Sequence, residues 1–77
     1  MVQSLIEYLV KNLVDDPDQV TVCEVPGDDT VTLEVRVAQP DLGKVIGRQG
    51  RIANALRAVA KAAGTKDPRK VFVEIVA

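Results

Sequence analysis

Residues 30–37, TVTLEVRV, alternate strictly between polar and apolar side chains. A period of two places the apolar members, Val31, Leu33, Val35 and Val37, on one face of a β-strand. A strand with one apolar face needs a sheet around it and a second layer over that face, because apolar surface is unstable in water. The chain is therefore expected to form a sheet that other elements cover on one side.

Periodicity and turn residues predict the remaining elements. In chain order they are a helix at 2–14, a strand at 19–25, a turn at 26–29, the strand described above, helices at 41–46 and 51–63, and a strand at 71–76. Ser4 and Glu7 suggest a capping box for the first helix, Pro17 stops it, and Gly64 ends the third. The order α-β-β-α-α-β predicts one domain over residues 1–77. It is an α+β two-layer sandwich, whose three-stranded sheet carries the helices on one face.

The composition excludes several classes of function. The chain has no histidine and one cysteine, Cys23, which excludes zinc sites and nucleophilic sites built on histidine. We expect a non-enzyme with no cofactor and no small-molecule substrate, because so short a chain hardly encloses a dry cleft. No apolar run approaches the ~20 residues of a membrane span, and the start of the chain lacks signal-peptide features. A cytoplasmic location is expected, with no membrane partner.

The charges are distributed unevenly along the chain. Residues 1–43 hold nine acidic and two basic residues, whereas residues 44–77 hold eight basic and two acidic ones. Such asymmetry suggests that the second half meets an anionic partner. The alternative is that the two halves simply attract each other on a solvated surface.

The segment KVIGRQGR, residues 44–51, joins the second helix to the third with no spare residues. Its glycines, Gly47 and Gly50, have a purely structural interpretation. A turn this tight needs backbone angles or close contacts that a Cβ would obstruct.

A functional interpretation of the same turn adds an anion. The first amides of the third helix lack intrahelical acceptors, and a loop without side-chain bulk would let a phosphate reach them. Arg48 and Gln49 would project as donors, with Lys44 and Arg51 on either side. A phosphate-rich ligand would account for the glycines, the basic residues and the helix start together.

The third helix has two distinct faces. The stripe predicted to face the sheet consists of Ile52, Leu56, Val59 and Ala63. Asn54, Arg57 and Lys61 lie on nearly the opposite side. We expect Arg57 and Lys61 to be solvated helix residues, and the sequence leaves open whether they contact a ligand.

These features together resemble a KH domain. The match consists of the short helix, the V-I-G-x-x-G motif at 45–50, the long amphipathic helix and the closing strand, in the bacterial (type II) order. More narrowly, GKVIGRQGR, LVDDPDQV and VFVEIV are similar to segments of the small stand-alone bacterial KH proteins of the KhpA (YlqC-like) family. The resemblance covers essentially the whole chain. It implies a protein that binds single-stranded RNA and acts as an RNA chaperone.

The resemblance also implies which residues contact RNA. The clamp on the RNA backbone would be Gly47, Arg48, Gln49 and Gly50. Ile46 would form the apolar floor under the bases, with Leu42 and Val45 beside it. One of Val45 and Ile46 is expected in the core, and the sequence does not say which. The other wall of the groove would be the last strand and the loop before it. The bases of that loop, Lys66, Arg69 and Lys70, would either line the groove or be bystanders.

The family further implies a homodimer, or a larger KH-containing partner of the KhpB (Jag) kind, and an influence on cell shape and cell-wall synthesis. A separate hypothesis is a protein-interaction or dimerisation module in which the glycine turn is structural only. It draws on apolar residues of the first helix, Val2, Tyr8 and Val14, that one buried stripe does not need. A third hypothesis is a DNA-binding helix–turn–helix or helix–hairpin–helix unit, which also places glycines between helices.

Overall fold

The structure, a computed structural model, describes residues 2–65 and 68–77. Its helices and strands are, in chain order, α1 (Val2–Lys11), β1 (Thr21–Gly27), β2 (Thr30–Arg36), α2 (Leu42–Ile46), α3 (Arg51–Ala63) and β3 (Lys70–Val76). Short 3-10 turns lie at Pro17–Gln19, Gln39–Asp41 and Arg48–Gly50. Within these ranges no helix is long and apolar enough to cross a membrane. The predicted α+β class and the order α-β-β-α-α-β are confirmed.

The sheet has β2 at its centre, antiparallel to β1 and parallel to β3. The apolar side chains that the alternation predicts to be inside β2 are buried, namely Val31, Leu33 and Val35. The hairpin turn is shorter than predicted, because Gly27 pairs with Thr30 and leaves two residues between the strands. Pro26 consequently belongs to β1, where an edge strand tolerates the missing amide.

The helices cover one face of the sheet, and the core lies between the two layers. The largest fully buried side chains are Ile6, Val10, Leu33, Val35 and Val45. They come from α1, β2 and α2, so the short helix α2 is part of the core rather than an appendage. The opposite face of the sheet carries exposed residues such as Cys23 and Glu74.

The first helix begins at Val2 as predicted, but its predicted end and its capping box need correction. α1 ends at Lys11, three residues early, where the side-chain amide of Asn12 donates to the Tyr8 carbonyl at 2.7 Å. This bond and the tightened last turn end the regular pattern. The capping box of Ser4 and Glu7 is also wrong, because the helix begins before Ser4, which lies inside it.

The buried stripe of α3 differs from the predicted one. Its buried residues are Ala53, Leu56 and Ala60, and Val59 is 36% exposed. Ile52 and Val59 instead line a hollow between α3 and α1. Of the predicted stripe, Leu56 alone is buried, so the buried face of α3 is rotated toward the alanines.

α3 ends at Gly64 as predicted, but the glycine is needed for another reason. Its φ is −91°, which any residue adopts, so it forms no left-handed cap. A Cβ at this position would lie 2.8 Å from Cγ2 of Val71. The close approach of the helix end to β3 therefore requires a residue without a side chain.

Candidate nucleic-acid interface

The loop between α2 and α3 turns the chain within four residues. Gly47 has φ 75° and ψ 173°, Gln49 has φ 56° and ψ 25°, and Gly50 has φ 74° and ψ 16°. Glycine adopts a positive φ at little cost, whereas the same backbone conformation is strained in a residue with a side chain, such as Gln49. The tight turn expected from the sequence is present.

The two glycines of the loop meet different constraints. A Cβ on Gly47 would lie 2.7 Å from Ile52 Cγ1 and 3.0 Å from the Ile52 backbone nitrogen. A Cβ on Gly50 would have Asn54 Nδ2 as its nearest neighbour, at 3.9 Å. Gly47 is therefore required by space as well as by its backbone angles, whereas Gly50 is required by its angles alone.

Backbone amides of the loop are used within the turn. Gly50 N donates to Gly47 O at 3.2 Å, and Arg51 N donates to Arg48 O. The prediction that amides at the start of the third helix lack acceptors is therefore wrong for Gly50 and Arg51. The donors that the loop exposes are the side chains of Arg48 and Gln49.

The side chains around the loop divide into exposed and buried groups. The exposed polar ones are Arg48, Gln49 and Arg51. Ile46 is 36% exposed, whereas Val45 is fully buried. The structure thus assigns Val45 to the core, out of reach of a ligand, and leaves Ile46 at the surface. Leu42 is half-buried and packs against the core.

Lys44 is held differently from the other bases near the loop. Its Nζ forms a hydrogen-bonded ion pair with Asp15 and lies 3.6 Å from Asp41 Oδ1. The hydrogen bond to Asp15 raises the pKa of Lys44, and the charges of both carboxylates outweigh the lowering by burial. The charge that the sequence assigns to the loop is therefore offset, and Lys44 fastens α2 to the connection between α1 and β1.

Asp41 is a buried carboxylate that sequence reasoning assigned only to a helix start. It is 3% exposed, and its oxygens accept the amides of Asp15 at 3.2 Å and Asp16 at 3.1 Å. Burial raises the pKa of Asp41, but the two amides and the Lys44 charge outweigh it and hold the pKa below its ordinary value. This carboxylate joins the chain after α1 to the start of α2.

Replacing Asp41 with asparagine is expected to destabilise the fold at pH 7 and to destabilise it less at pH 3. A carboxylate whose folded-state pKa is lowered stabilises the fold above its ordinary pKa of about 4, and loses this effect as the pH falls through the folded-state value. The amide lacks the charge at every pH. Circular dichroism melting at both pH values measures the difference, with Asp28→Asn in the exposed hairpin turn as the control. A loss of melting temperature as large at pH 3 as at pH 7 would rule out the charge as the cause.

A line of polar contacts leads from the loop across α3 to β3. Asn54 is the residue nearest to the Cβ position of Gly50, and its Oδ1 accepts a hydrogen bond from Arg57 Nη1 at 3.1 Å. Arg57 Nε in turn donates to the carbonyl oxygen of Val73 at 3.4 Å. Arg57 is therefore engaged with the last strand, in addition to being exposed to solvent.

β3 is an edge strand, and its outer edge forms one wall of a groove. Lys70 N donates to Asp29 O at 2.9 Å, and Val76 O accepts from Val37 N at 3.2 Å. Backbone groups at even positions of β3 therefore point toward the hairpin. The carbonyl of Val73, at an odd position, points outward into the groove.

The groove contains two adjoining hollows of about 450 and 360 Å³. The one nearer the loop is lined by Asn54, Arg57, Ala58, Lys61 and residues 71–73. The farther one is lined by Lys61, Gly64, Thr65, Arg69, Lys70, Val71 and Phe72. Volumes of this size suit a ligand cleft.

Sequence reasoning located part of this groove. Arg69 and Lys70, two of the predicted groove residues, line it. The third, Lys66, lies outside the described residues. Asn54 and Phe72 were not proposed as site residues. The available signals were the helical spacing of residues 54, 57 and 61 and the alternation along β3, which together place one helix face against one strand edge.

The three-stranded sheet with helices on one face, and the Gly-x-x-Gly turn between two successive helices beside a groove, define a KH domain of type II order. Comparison with known families agrees with this class. The chain belongs to the KhpA/KhpB family, since the family model described as "KhpA/KhpB, KH domain" matches residues 3–75.

Similar proteins are found in several bacteria. The chain is 53% identical to "RNA-binding protein KhpA" of Clostridium acetobutylicum and 51% identical to the protein of that name in Clostridium perfringens. Both matches cover 96% of this chain and 99% of the relative. Among solved structures, Era of Aquifex aeolicus bound to GDP and AlF4⁻ matches with a TM-score of 0.64 at 17% identity, over 96% of this chain and 29% of the Era chain. At that identity the similarity concerns the fold alone.

Proposed function

We propose that this protein binds single-stranded RNA, clamping the sugar–phosphate backbone with the loop at 47–50 and receiving bases in the groove between α3 and β3. The observation that carries the proposal is the loop itself. Its glycines remove side-chain bulk, while the side chains of Arg48 and Gln49 are exposed, and Asn54, which lies beside Gly50, lines the adjoining groove. Relatives about half identical over nearly the full length are named RNA-binding proteins. A KH loop holds about four nucleotides.

The polar residues of the loop have separate roles in the proposal. Arg48 and Arg51 attract phosphates as exposed charges, and Gln49 donates from its side-chain amide. Lys44 contributes less, because Asp15 already pairs with it. The basic residues of the groove, Arg57, Lys61 and Lys70, extend the positive charge along α3 and β3.

The apolar residues beside the loop form the floor for the bases. Ile46 offers its exposed part directly, with Leu42 next to it. Val45 supports this floor from the core and makes no contact with RNA. A floor of aliphatic side chains binds bases without reading their edges, so we expect modest sequence preference at these positions.

Titration of a labelled oligoribonucleotide of about eight nucleotides over a series of salt concentrations tests the proposal. Two or three neutralised phosphates on a single strand are expected to give a log–log slope of roughly −1.5 to −2. A slope near zero, or no binding, would leave the interaction-module hypothesis in its place. DNA of the same sequence serves as competitor, and equal affinity for it would favour the DNA-binding hypothesis, because only RNA offers the 2′-hydroxyl.

A second candidate function, self-association, is favoured by a different surface. α1 and α3 flank a hollow of about 330 Å³ lined mainly by apolar residues, among them Leu9, Leu13, Ile52 and Val59. None of its lining residues belongs to the groove between α3 and β3, so a second copy and an RNA would bind at once. Two linked copies would strengthen weak RNA binding through avidity. Light scattering measures the molar mass of the protein in the titrated sample. A mass equal to that of one chain would exclude self-association.

The proposal includes the finer predictions of the family resemblance. They are a role as an RNA chaperone, a cytoplasmic location, a larger partner of the KhpB kind, and an influence on cell shape and cell-wall synthesis. Membership of the KhpA/KhpB family supports them as a group.

A further inference from the structure

Phe72 is the only phenylalanine of the chain, and it is 50% exposed. It lies in β3 between Val71 and Val73, whose side chains face the helices. Alternation places Phe72 on the other face of the sheet, in one row with Thr32 of β2 and Val25 of β1. Because β3 is the outermost strand, Phe72 lies where the open face meets the groove, and it lines both hollows.

Packing does not account for an aromatic residue at this position. The core is on the opposite face of the sheet, and the next residue in the row, Thr32, is polar. Val25, beyond it, is 47% exposed. Among the described residues, the cross-strand neighbour of Phe72 on its own face is therefore polar, and an exposed aromatic ring at the rim of a groove is available to bind a ligand.

The charged groups near Phe72 indicate the class of ligand. Lys61 lines both hollows with it, and Lys70 lines the farther one. Phosphates are therefore attracted along the groove. A flat apolar ring with this arrangement suits a nucleotide whose backbone stays in the groove while its base reaches the ring.

We propose that Phe72 stacks against a nucleobase of single-stranded RNA in the groove beside the loop. The inference rests on the proposed function and adds a subsite to it. Phe72 lines both the hollow that begins at Asn54, next to the loop, and the hollow beyond it. A strand that continues from the clamp along the groove therefore passes the ring.

The chain has no tryptophan, so Phe72→Trp introduces a single indole reporter at the ring position. Oligoribonucleotide of about eight nucleotides is expected to quench its emission, because a base stacked on indole deactivates the excited state. Val25→Trp is the matched control. Val25 shares the row and nearly the exposure of Phe72 but lines neither hollow. Its tryptophan is expected to keep its emission.

Affinity gives an independent readout. Phe72→Leu keeps an apolar side chain and removes the ring, and is expected to weaken binding of an RNA of about eight nucleotides about tenfold. Phe72→Tyr is expected to bind like the wild type.

Each outcome decides the proposal. Tenfold loss in Phe72→Leu with quenching confined to Phe72→Trp supports the subsite. Unchanged affinity in Phe72→Leu, an unquenched Phe72→Trp that still binds RNA, or equal quenching of both tryptophans overturns it and leaves the clamp intact. If the tryptophan emission of Phe72→Trp changes with protein concentration and not with RNA concentration, the ring lies in a protein contact, and this also overturns the subsite. No RNA binding by the wild type rejects the proposed function together with the subsite.

Discussion

The double variant Arg48→Asp with Gln49→Asp is expected to bind single-stranded RNA about 100-fold more weakly than the wild type. Losing two charge-assisted contacts of about 1.5 kcal/mol each removes about 3 kcal/mol, and about 1.4 kcal/mol corresponds to a tenfold change in Kd. The fold is expected to survive, because both side chains are exposed and aspartate tolerates the φ of 56° at position 49. Fluorescence anisotropy measures the affinity, and circular dichroism measures the fold.

A matched control makes the same charge change at Arg36 and Gln39, which are exposed and line neither hollow of the groove. Arg36→Asp with Gln39→Asp is expected to weaken RNA binding less than about threefold, because salt screens attraction that involves no direct contact. A folded double variant of the loop with wild-type affinity would remove the clamp from the proposed function. Equal losses of RNA affinity in both double variants would show that the loop contributes only general electrostatic attraction and no direct contact.

Gly47→Ala is expected to destabilise the fold by about 3 kcal/mol or more, and Gly50→Ala by about 1 kcal/mol. The difference arises because a Cβ at Gly47 would lie 2.7 Å from Ile52, whereas at Gly50 the nearest atom is 3.9 Å away. Each kcal/mol lowers the melting temperature of a domain this size by about 4–8 °C. We therefore expect losses of more than about 12 °C at Gly47 and of about 6 °C at Gly50, measured by circular dichroism.

Gly43→Ala is the control for the two loop glycines. Gly43 lies within α2, and a Cβ there has no neighbour within 4 Å, so alanine is expected to be neutral or to stabilise the fold by about 0.5–1 kcal/mol. Gly50→Asn is expected to lose less stability than Gly50→Ala, because asparagine tolerates a left-handed conformation. Similar losses at Gly47 and Gly50 would show that the contact with Ile52 does not matter.

The layers and the order of elements were predictable because they follow from local periodicity. The boundaries of the elements and the orientation of the helix faces were not predictable, because contacts with residues distant in sequence determine them. The stripe of α3 is a clear case: apolar spacing pointed to Val59, but the buried face of the helix carries Ala53 and Ala60. The turn at Gly27 followed from strand pairing, which single-segment propensity does not include.

For the candidate site, motif spacing located the loop but not the contacts around it. Lys44 was predicted as a loop base, and its partner Asp15 lies 29 residues earlier in the chain. Arg57 was expected in solvent, because nothing local indicates that the outward carbonyl of Val73 lies beside it. In both cases the missing information was which distant backbone or carboxylate the fold brings to a charged side chain.

The contacts of α2 have a consequence for how the loop meets any ligand. α2 has five residues, too few to persist as an isolated helix. Val45 in the core, Asp41 on the amides of Asp15 and Asp16, and the ion pair of Lys44 hold it in place. The end of α2 from which the loop starts is consequently fixed by the fold, and in the proposed complex the loss of conformational freedom on association falls mainly on the incoming strand. In that complex the RNA strand would change conformation on binding, while α2 would keep the conformation it has in the free protein.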